Sequence, residues 1–184
     1  MKNIGVSDVI IAINLSAAQF ADVNLPDYLQ ELLKEFDVNA KNFELELTEQ
    51  TLVKDIDKAI ETMDALRALG FSFAIDDFGT GYSSLAYLKR MPVDVIKIDK
   101  SFVFGMLENH ADFQIIMSTI AMVKNLGLTV IAEGVETQAQ LRSLTENDCD
   151  LIQGYYFSKP IPDTEVLDFI HREMVDGKWK VFVN

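Results

Sequence analysis

The feature that most constrains this 184-residue chain is a sixfold alternation of strand-like and helix-like segments. Residues 9–16, VIIAINLS, read as a strand. The segment from Pro26, PDYLQELLKEF, reads as a helix that opens on proline and carries Leu29, Leu32, Leu33 and Phe36 on one face. Further strands are predicted at 43–49 (FELELTE), 71–77 (FSFAIDD), 95–99 (VIKID), 128–135 (LTVIAEGV) and 151–157 (LIQGYYF). A helix-like segment trails each of them, and Gly70 and Gly127 close two of these helices. Regular alternation of this kind requires parallel strands joined by helical crossovers, a demand met by an open doubly wound sheet or by a β/α barrel.

The strand ends choose between the two. An open sheet gathers its ligand groups at one switch point, whereas a barrel brings the carboxyl ends of all its strands around one mouth. Here every predicted strand ends in a polar group: Asn14, Glu46, Asp76 with Asp77, Lys97 with Asp99, Glu133 with Glu136, and Gln153. Period-two alternation turns Ile11, Ile13, Leu45, Leu47, Phe73, Ile75, Ile96 and Ile98 toward the helices, so Asn14, Glu44, Glu46, Asp76, Lys97, Asp99 and Glu133 face the axis. A barrel of this class has eight units in about 250 residues. Six are read here, which predicts an α/β fold of the (β/α)8 TIM type truncated to about six units, the absent ones at the amino end. The open strand edges then invite pairing with another chain.

Composition narrows the partners. With 49% hydrophobic residues and four prolines, the chain is expected to form a single domain over 1–184 with a real core. No long apolar run and no leader pattern is read, so a cytoplasmic chain without membrane insertion is expected. The formal charge of −13 opposes binding to a DNA or RNA polymer through a general positive field. Cys149 is alone and His110 and His171 are isolated, which leaves no disulfide framework and no Cys/His zinc site. Any metal must be held by oxygen.

Carboxylates, an amide and a lysine converging on one mouth suit divalent cations such as Mg²⁺ or Mn²⁺, and adjacent aspartates allow one carboxylate to bridge two ions. Two ions about 3.5–4 Å apart can activate water and stabilise an in-line displacement at phosphorus, so phosphodiester hydrolysis is the expected reaction class. Several residues keep a second reading. Asp77 also suits a turn cap, Glu136 the first turn of the helix after AEGVE, and Lys97 a core cation neutralising Asp99 or Glu133. For the set, packing alone offers no reason to put ionisable groups at the same end of four strands. Gly79 and Gly81 in FGTGY read as turn glycines of a lid rather than as a phosphate loop, and Tyr155, Tyr156 and Phe157 as packing residues.

NLS, ELTE, DDFGTGYSSL, IKID, AEGVE and QGYYFSKP occur in an order that resembles the EAL family of bacterial cyclic di-GMP phosphodiesterases, over essentially the whole chain. The resemblance implies a β/α barrel that uses Mg²⁺ or Mn²⁺ to open cyclic di-GMP to linear pGpG. It implies Asn14, Glu46 and Asp76 as ligands of a first ion, with Asp76 bridging and Asp77 and Glu133 serving a second. Lys97 would orient the attacking hydroxide or offset developing phosphate charge. Asp99 is similar to a residue near the second ion and substrate, Gln153 to one that positions substrate or water, and Glu136 to one that anchors the DDFGTGYSS loop. A homodimer through the region of that loop, with Tyr82, Leu85 and Leu88 as an apolar stripe, is also implied.

One departure stands out: the Glu-Ala-Leu segment that names the family, whose glutamate is a metal ligand, does not occur in this sequence. The expectation is therefore a phosphodiesterase impaired in this chain alone. The alternatives are a silent module that binds cyclic di-GMP or a protein partner, and a different metal-dependent barrel enzyme using Lys97 as a base on a carbonyl substrate.

Overall fold

A computed structural model of the chain describes residues 9–53, 55–80, 85–175 and 178–179. Six strands form one sheet: β1 (Ile11–Asn14), β2 (Phe43–Thr48), β3 (Ser72–Phe78), β4 (Val95–Ile98), β5 (Thr129–Ala132) and β6 (Leu151–Ile152). Each lies parallel to the next in chain order. A doubly wound sheet reverses its order at a switch point. This sheet never does, so successive right-handed crossovers leave the helices on one face and the strands curl into a half-barrel.

Around the strands run α1 (Ala17–Phe20), α2 (Leu25–Glu35), α3 (Glu49–Val53), α4 (Ile56–Leu69), α5 (Leu85–Leu88), α6 (Lys100–Gly105), α7 (His110–Asn125), α8 (Gln138–Glu146) and α9 (Asp163–Glu173). The short strands β7 (Met174–Val175) and β8 (Lys178–Trp179) pair antiparallel after α9. Among the described residues no helix is long and apolar enough to cross a membrane.

The core lies between the outer face of the sheet and the helices. Leu45, Leu47, Phe73, Ile75, Ile96 and Ile98 are all buried there, as the period-two pattern predicts, against Met63 and Leu66 of α4, Val103 of α6, Ile116 and Val123 of α7 and Leu144 of α8. Each such side chain contributes roughly 1.5–3 kcal/mol by leaving water. Ile11 and Ile13 follow the same alternation but remain 38% exposed, because among the described residues β1 has a sheet neighbour on one side only. Phe36, expected on the packed face of α2, is 66% exposed; it is the C-cap residue, beyond the last turn that Leu29 and Leu33 press against the core.

The mouth side departs from the expected boundaries. β5 stops at Ala132 and β6 at Ile152, so Glu133 and Gln153 stand in the loops that leave the strands. Of the proposed dimer stripe, Leu88 is buried in the core, and Tyr82 and the side chain of Leu85 lie outside the described residues, as does Gly81.

At the opposite end one device occurs twice. Asp94, just before β4, accepts the Phe73 N–H at 3.0 Å and the Arg67 guanidinium at 2.7 Å, while Arg67 also donates to the Pro92 carbonyl. Asp150, just before β6, accepts the Val130 N–H at 3.0 Å and the Lys124 ammonium at 3.1 Å, while Lys124 also donates to the Asp148 carbonyl. In each case a cation from the preceding helix and an aspartate at the next strand close the bottom of a β/α unit. The Arg67–Asp94 pair is more than a third exposed on both sides, so its ion pairing is worth under about 1 kcal/mol. The bond to the Phe73 amide, in a fully buried residue, is worth more. Asp94→Ala is therefore expected to cost about 1–3 kcal/mol and Arg67→Ala less than about 1 kcal/mol, read as midpoint shifts in urea denaturation.

Candidate active site

Parallel pairing in register lines up the inner-face residues of neighbouring strands. Asn14 lies opposite Glu46, Thr48 opposite Asp76, and Lys97 opposite Ile131. Lys97 reaches across them. Its Nζ lies 2.7 Å from Glu46 Oε1, 2.6 Å from Glu133 Oε1 and 3.5 Å from Asp76 Oδ1, with the lysine side chain 4% exposed. Carboxylates from β2, β3 and the end of β5 thus converge on one buried ammonium carried by β4.

The two adjacent aspartates owe their common placement to a β-bulge. In β3 the register passes from Ile75 opposite Ile96 to Phe78 opposite Ile98, so Asp76 and Asp77 together face the single residue Lys97. In a regular strand they would point to opposite faces. Asp77 takes φ = 54°, a left-handed conformation that aspartate tolerates better than most side chains, and its N–H donates to Asp76 Oδ1 at 2.9 Å. The extra residue also returns Phe78 to the helix-facing side, where it is buried.

The electrostatics show an excess of acid. Burial would lower the Lys97 pKa, but its bonds to Glu133 and Glu46 more than reverse this and hold the ammonium above the ordinary lysine value. Burial raises Glu133, with Lys97 pulling the other way, and raises Glu44, one layer below, with Glu46 adding to the rise. Asp77 is raised by burial and by the charges of Asp76 and Asp99. Its carboxyl is hydrogen-bonded to Asp99, which burial would raise but which donors from Ser101 and Asp77 hold below the usual carboxylate range. Asp99 meanwhile caps α6 by accepting the Ser101 N–H at 2.9 Å.

The predicted residues therefore fall into groups. Glu46, Asp76, Lys97 and Glu133 form one ionic cluster, and Asp77 and Asp99 form a pair beside it. Asn14 is an exposed neighbour of Glu46 on the edge strand. Gln153 is exposed and borders a cavity of about 510 Å³ with Ile152, Tyr155, Phe157 and Phe169. Glu136 is exposed, and its backbone N–H rather than its carboxylate is held by the chain, through Gln140; the loop it was expected to anchor falls partly in residues 81–84, outside the described residues. Glu49 and Glu44 were not singled out as site residues from sequence. Glu49 is 6% exposed at the start of α3, and its Oε2 has no hydrogen-bond partner among the described residues. The second acid of ELTE was the signal for it.

The donor chemistry fits Mg²⁺ or Mn²⁺. All the acidic groups are hard oxygen donors, and Asp77, raised by burial and by the neighbouring charges of Asp76 and Asp99, stands where a cation would be favoured. Among the described residues no three His, Cys, Asp or Glu side chains yet stand as a ready metal site. Lys97 holds the point on which Glu46, Asp76 and Glu133 converge.

A family model for the EAL domain matches residues 2–160. The chain is 43% identical over 167 residues to the cyclic di-GMP phosphodiesterase NbdA of Pseudomonas aeruginosa, covering 91% of this chain and 21% of that protein. Among solved structures it superposes on the PaMucR phosphodiesterase, in complex with c-di-GMP, with a TM-score of 0.85 at 40% identity, covering 88% of this chain and 66% of that one. A manganese and cyclic di-GMP complex of Klebsiella pneumoniae BlrP1 matches with a TM-score of 0.75 at 33% identity, covering 82% of this chain and 39% of that one. The chain spans about a fifth of the length of the curated relatives it matches. With the family model, the relatives and the fold in agreement, the chain belongs to the EAL domain family.

Proposed function

We propose that residues 1–184 form part of a single EAL phosphodiesterase domain that uses Mg²⁺ or Mn²⁺ to open cyclic di-GMP to linear pGpG, and that this chain alone turns it over slowly or not at all. The observation that carries the reading is the convergence of Glu46, Asp76 and Glu133, from three neighbouring segments, on the buried Lys97 ammonium. The names of the relatives support the substrate.

Asn14, Glu46, Asp76, Asp77 and Glu133 would hold the ions, two in a complete site, with Asp76 shared between them. A bound Mg²⁺ or Mn²⁺ supplies Lewis acidity toward water and toward the phosphodiester oxygens. Lys97, pinned by Glu46 and Glu133, orients the attacking water and offsets the charge that develops as the water oxygen bonds to phosphorus and one bridging P–O bond breaks. An amine ringed by three carboxylates stays protonated, so Lys97 acts as a cation and not as a base; this argues against the carbonyl-substrate reading. Asn14, Asp99 and Gln153 position the substrate, and Glu136 steadies the loop after β3.

The absence of a Glu-Ala-Leu segment removes one carboxylate from the first ion's set and is the reason to expect weak turnover. Millimolar Mn²⁺ should still raise the melting temperature, since a ligand at a hundred times its dissociation constant stabilises the folded state by about 2.7 kcal/mol. Asp76→Asn should abolish the rise, and superimposable melting curves with and without Mn²⁺ would refute a retained metal site.

Turnover is tested by following pGpG formation by the purified chain. Little or none is expected, and Lys97→Met should remove whatever is seen. Lys97→Met should also destabilise the metal-free fold by about 3–5 kcal/mol, because it strands buried carboxylates without their cation. Robust hydrolysis would show that the missing glutamate matters less than proposed, whereas tight binding of cyclic di-GMP without turnover would favour the silent module.

The chain is further proposed to work in the cytoplasm as a homodimer. Support for the dimer comes from β1, whose four residues are all exposed along an open sheet edge, and from Leu151 of β6, half-exposed at the other edge. Light scattering should return twice the chain mass; a monomer mass across a wide concentration range would count against it.

A further inference from the structure

Gln140 is a buried amide, 6% exposed, outside every group of residues assigned a role above. It sits in the first turn of α8 and completes a capping box with Thr137: its own N–H donates to Thr137 Oγ1 at 3.2 Å, and its Oε1 accepts the Thr137 N–H at 3.0 Å. Two further bonds exceed what capping α8 requires. Oε1 also accepts the Glu136 N–H at 3.0 Å, and Nε2 donates to the Val103 carbonyl of α6 at 3.1 Å, across 37 positions of sequence. A capping box works equally with glutamate at this position. A glutamate has no donor for the Val103 carbonyl, so the second tie depends on the amide.

The two ends of that tie lead to the acidic mouth. The segment after β5 begins with Glu133, whose N–H donates to the Ile98 carbonyl at 3.2 Å, and runs over the first turn of α6, the helix that Asp99 caps. The approach is close. At Gly134, with φ = 73°, an added Cβ would lie 2.5 Å from Lys100 Cβ. On its other side the segment is held to the loop that leaves β6: Val135 donates to the Gln153 carbonyl at 3.1 Å, and a Cβ at Gly154 would come within 2.1 Å of the Val135 carbonyl oxygen. The backbone that carries Glu133 is thereby gripped between α6 and the loop after β6, with Gln140 as the buried side chain that joins it to α6.

We infer that Gln140 is a positioning residue for the candidate site, locking the Glu133 segment to the helix capped by Asp99 so that carboxylates from two β/α units keep their mutual placement. The inference rests on the metal-dependent phosphodiesterase reading for its functional consequence. Its structural content stands on the bonds themselves.

The test compares three variants of the whole chain by residue-resolved amide-hydrogen exchange and by Mn²⁺ titration. Thr137→Ala removes the cap hydroxyl and leaves Gln140 in place, so exchange should speed up in the first turn of α8 while the Glu133 and Val135 amides stay as in the wild type. Gln140→Glu keeps the cap acceptor and loses the Val103 tie, and Gln140→Met loses both. In both Gln140 variants the Glu133 and Val135 amides should exchange at least about tenfold faster, and the Mn²⁺ dissociation constant should rise about 10–100-fold, the range seen when groups that orient metal ligands are removed. Should Gln140→Met fail to fold, Gln140→Glu decides. Unchanged exchange at Glu133 and Val135 in a Gln140 variant would reduce the residue to a helix cap and overturn the inference. A wild-type chain that does not bind Mn²⁺ would instead sink the metal reading, and the exchange comparison would still settle the role of Gln140.

Discussion

The ammonium of Lys97 is the charge on which the interior of the half-barrel depends. Three carboxylates face it from neighbouring segments, and each, left alone in a site this enclosed, would meet a desolvation penalty of several kcal/mol. One positive charge faces three carboxyl groups, and Glu133 is raised chiefly by burial, with the charges of Asp76 and Glu46 adding to the rise and Lys97 opposing it. Beside it Asp77 is raised by burial and by the charges of Asp76 and Asp99, while Asp99 is held low by its donors. A lysine therefore serves two ends here: it keeps the fold tolerable without a metal, and it leaves an acid excess that a hard divalent cation would neutralise.

The remaining architecture holds that cluster in place without taking part in it. Apolar side chains on the outer face of β2, β3 and β4 bind the strands to their helices, and the paired aspartates at the bottom tie each unit to the next. The apolar contacts lie on the opposite face of the sheet and the aspartate ties at its other end, so the mouth is free to carry groups that repel one another. The left-handed Asp77 in the β3 bulge belongs to the same division of labour: its backbone is a cost that the surrounding ladder absorbs, and the gain is two adjacent aspartates at the mouth, Asp76 against Lys97 and Asp77 against Asp99. The sheet edges are the counterpart weakness, since β1 and the two-residue β6 expose apolar side chains that the interior ladder strands do not.

Much of this was legible in the residues. The alternation of Leu45, Leu47, Phe73, Ile75, Ile96 and Ile98 with polar partners assigned the two faces of the sheet correctly, because a strand's period of two follows from backbone geometry and needs no tertiary information. Lys97 with Glu46, Asp76 and Glu133 was legible for the same reason, once the strands were taken as parallel. Gln140 escaped notice because its capping box is a local signal found on many helices, whereas its bond to Val103 joins residues 37 positions apart. Glu49 escaped because burial cannot be read from residue type, and acids are mostly exposed.

By itself the sequence determined the parallel order of six β/α units, the inward face of each strand and the end at which the ionisable groups collect, since all three follow from local periodicity and the handedness of crossovers. Tertiary structure alone decided how those groups pair. That Asp77 turns to Asp99 and not to Lys97, and that β5 and β6 stop short so that Glu133 and Gln153 ride on loops, depend on one inserted residue in β3 and on contacts between loops from different units. Such contacts are set by distances across the barrel, and no spacing along the chain encodes them.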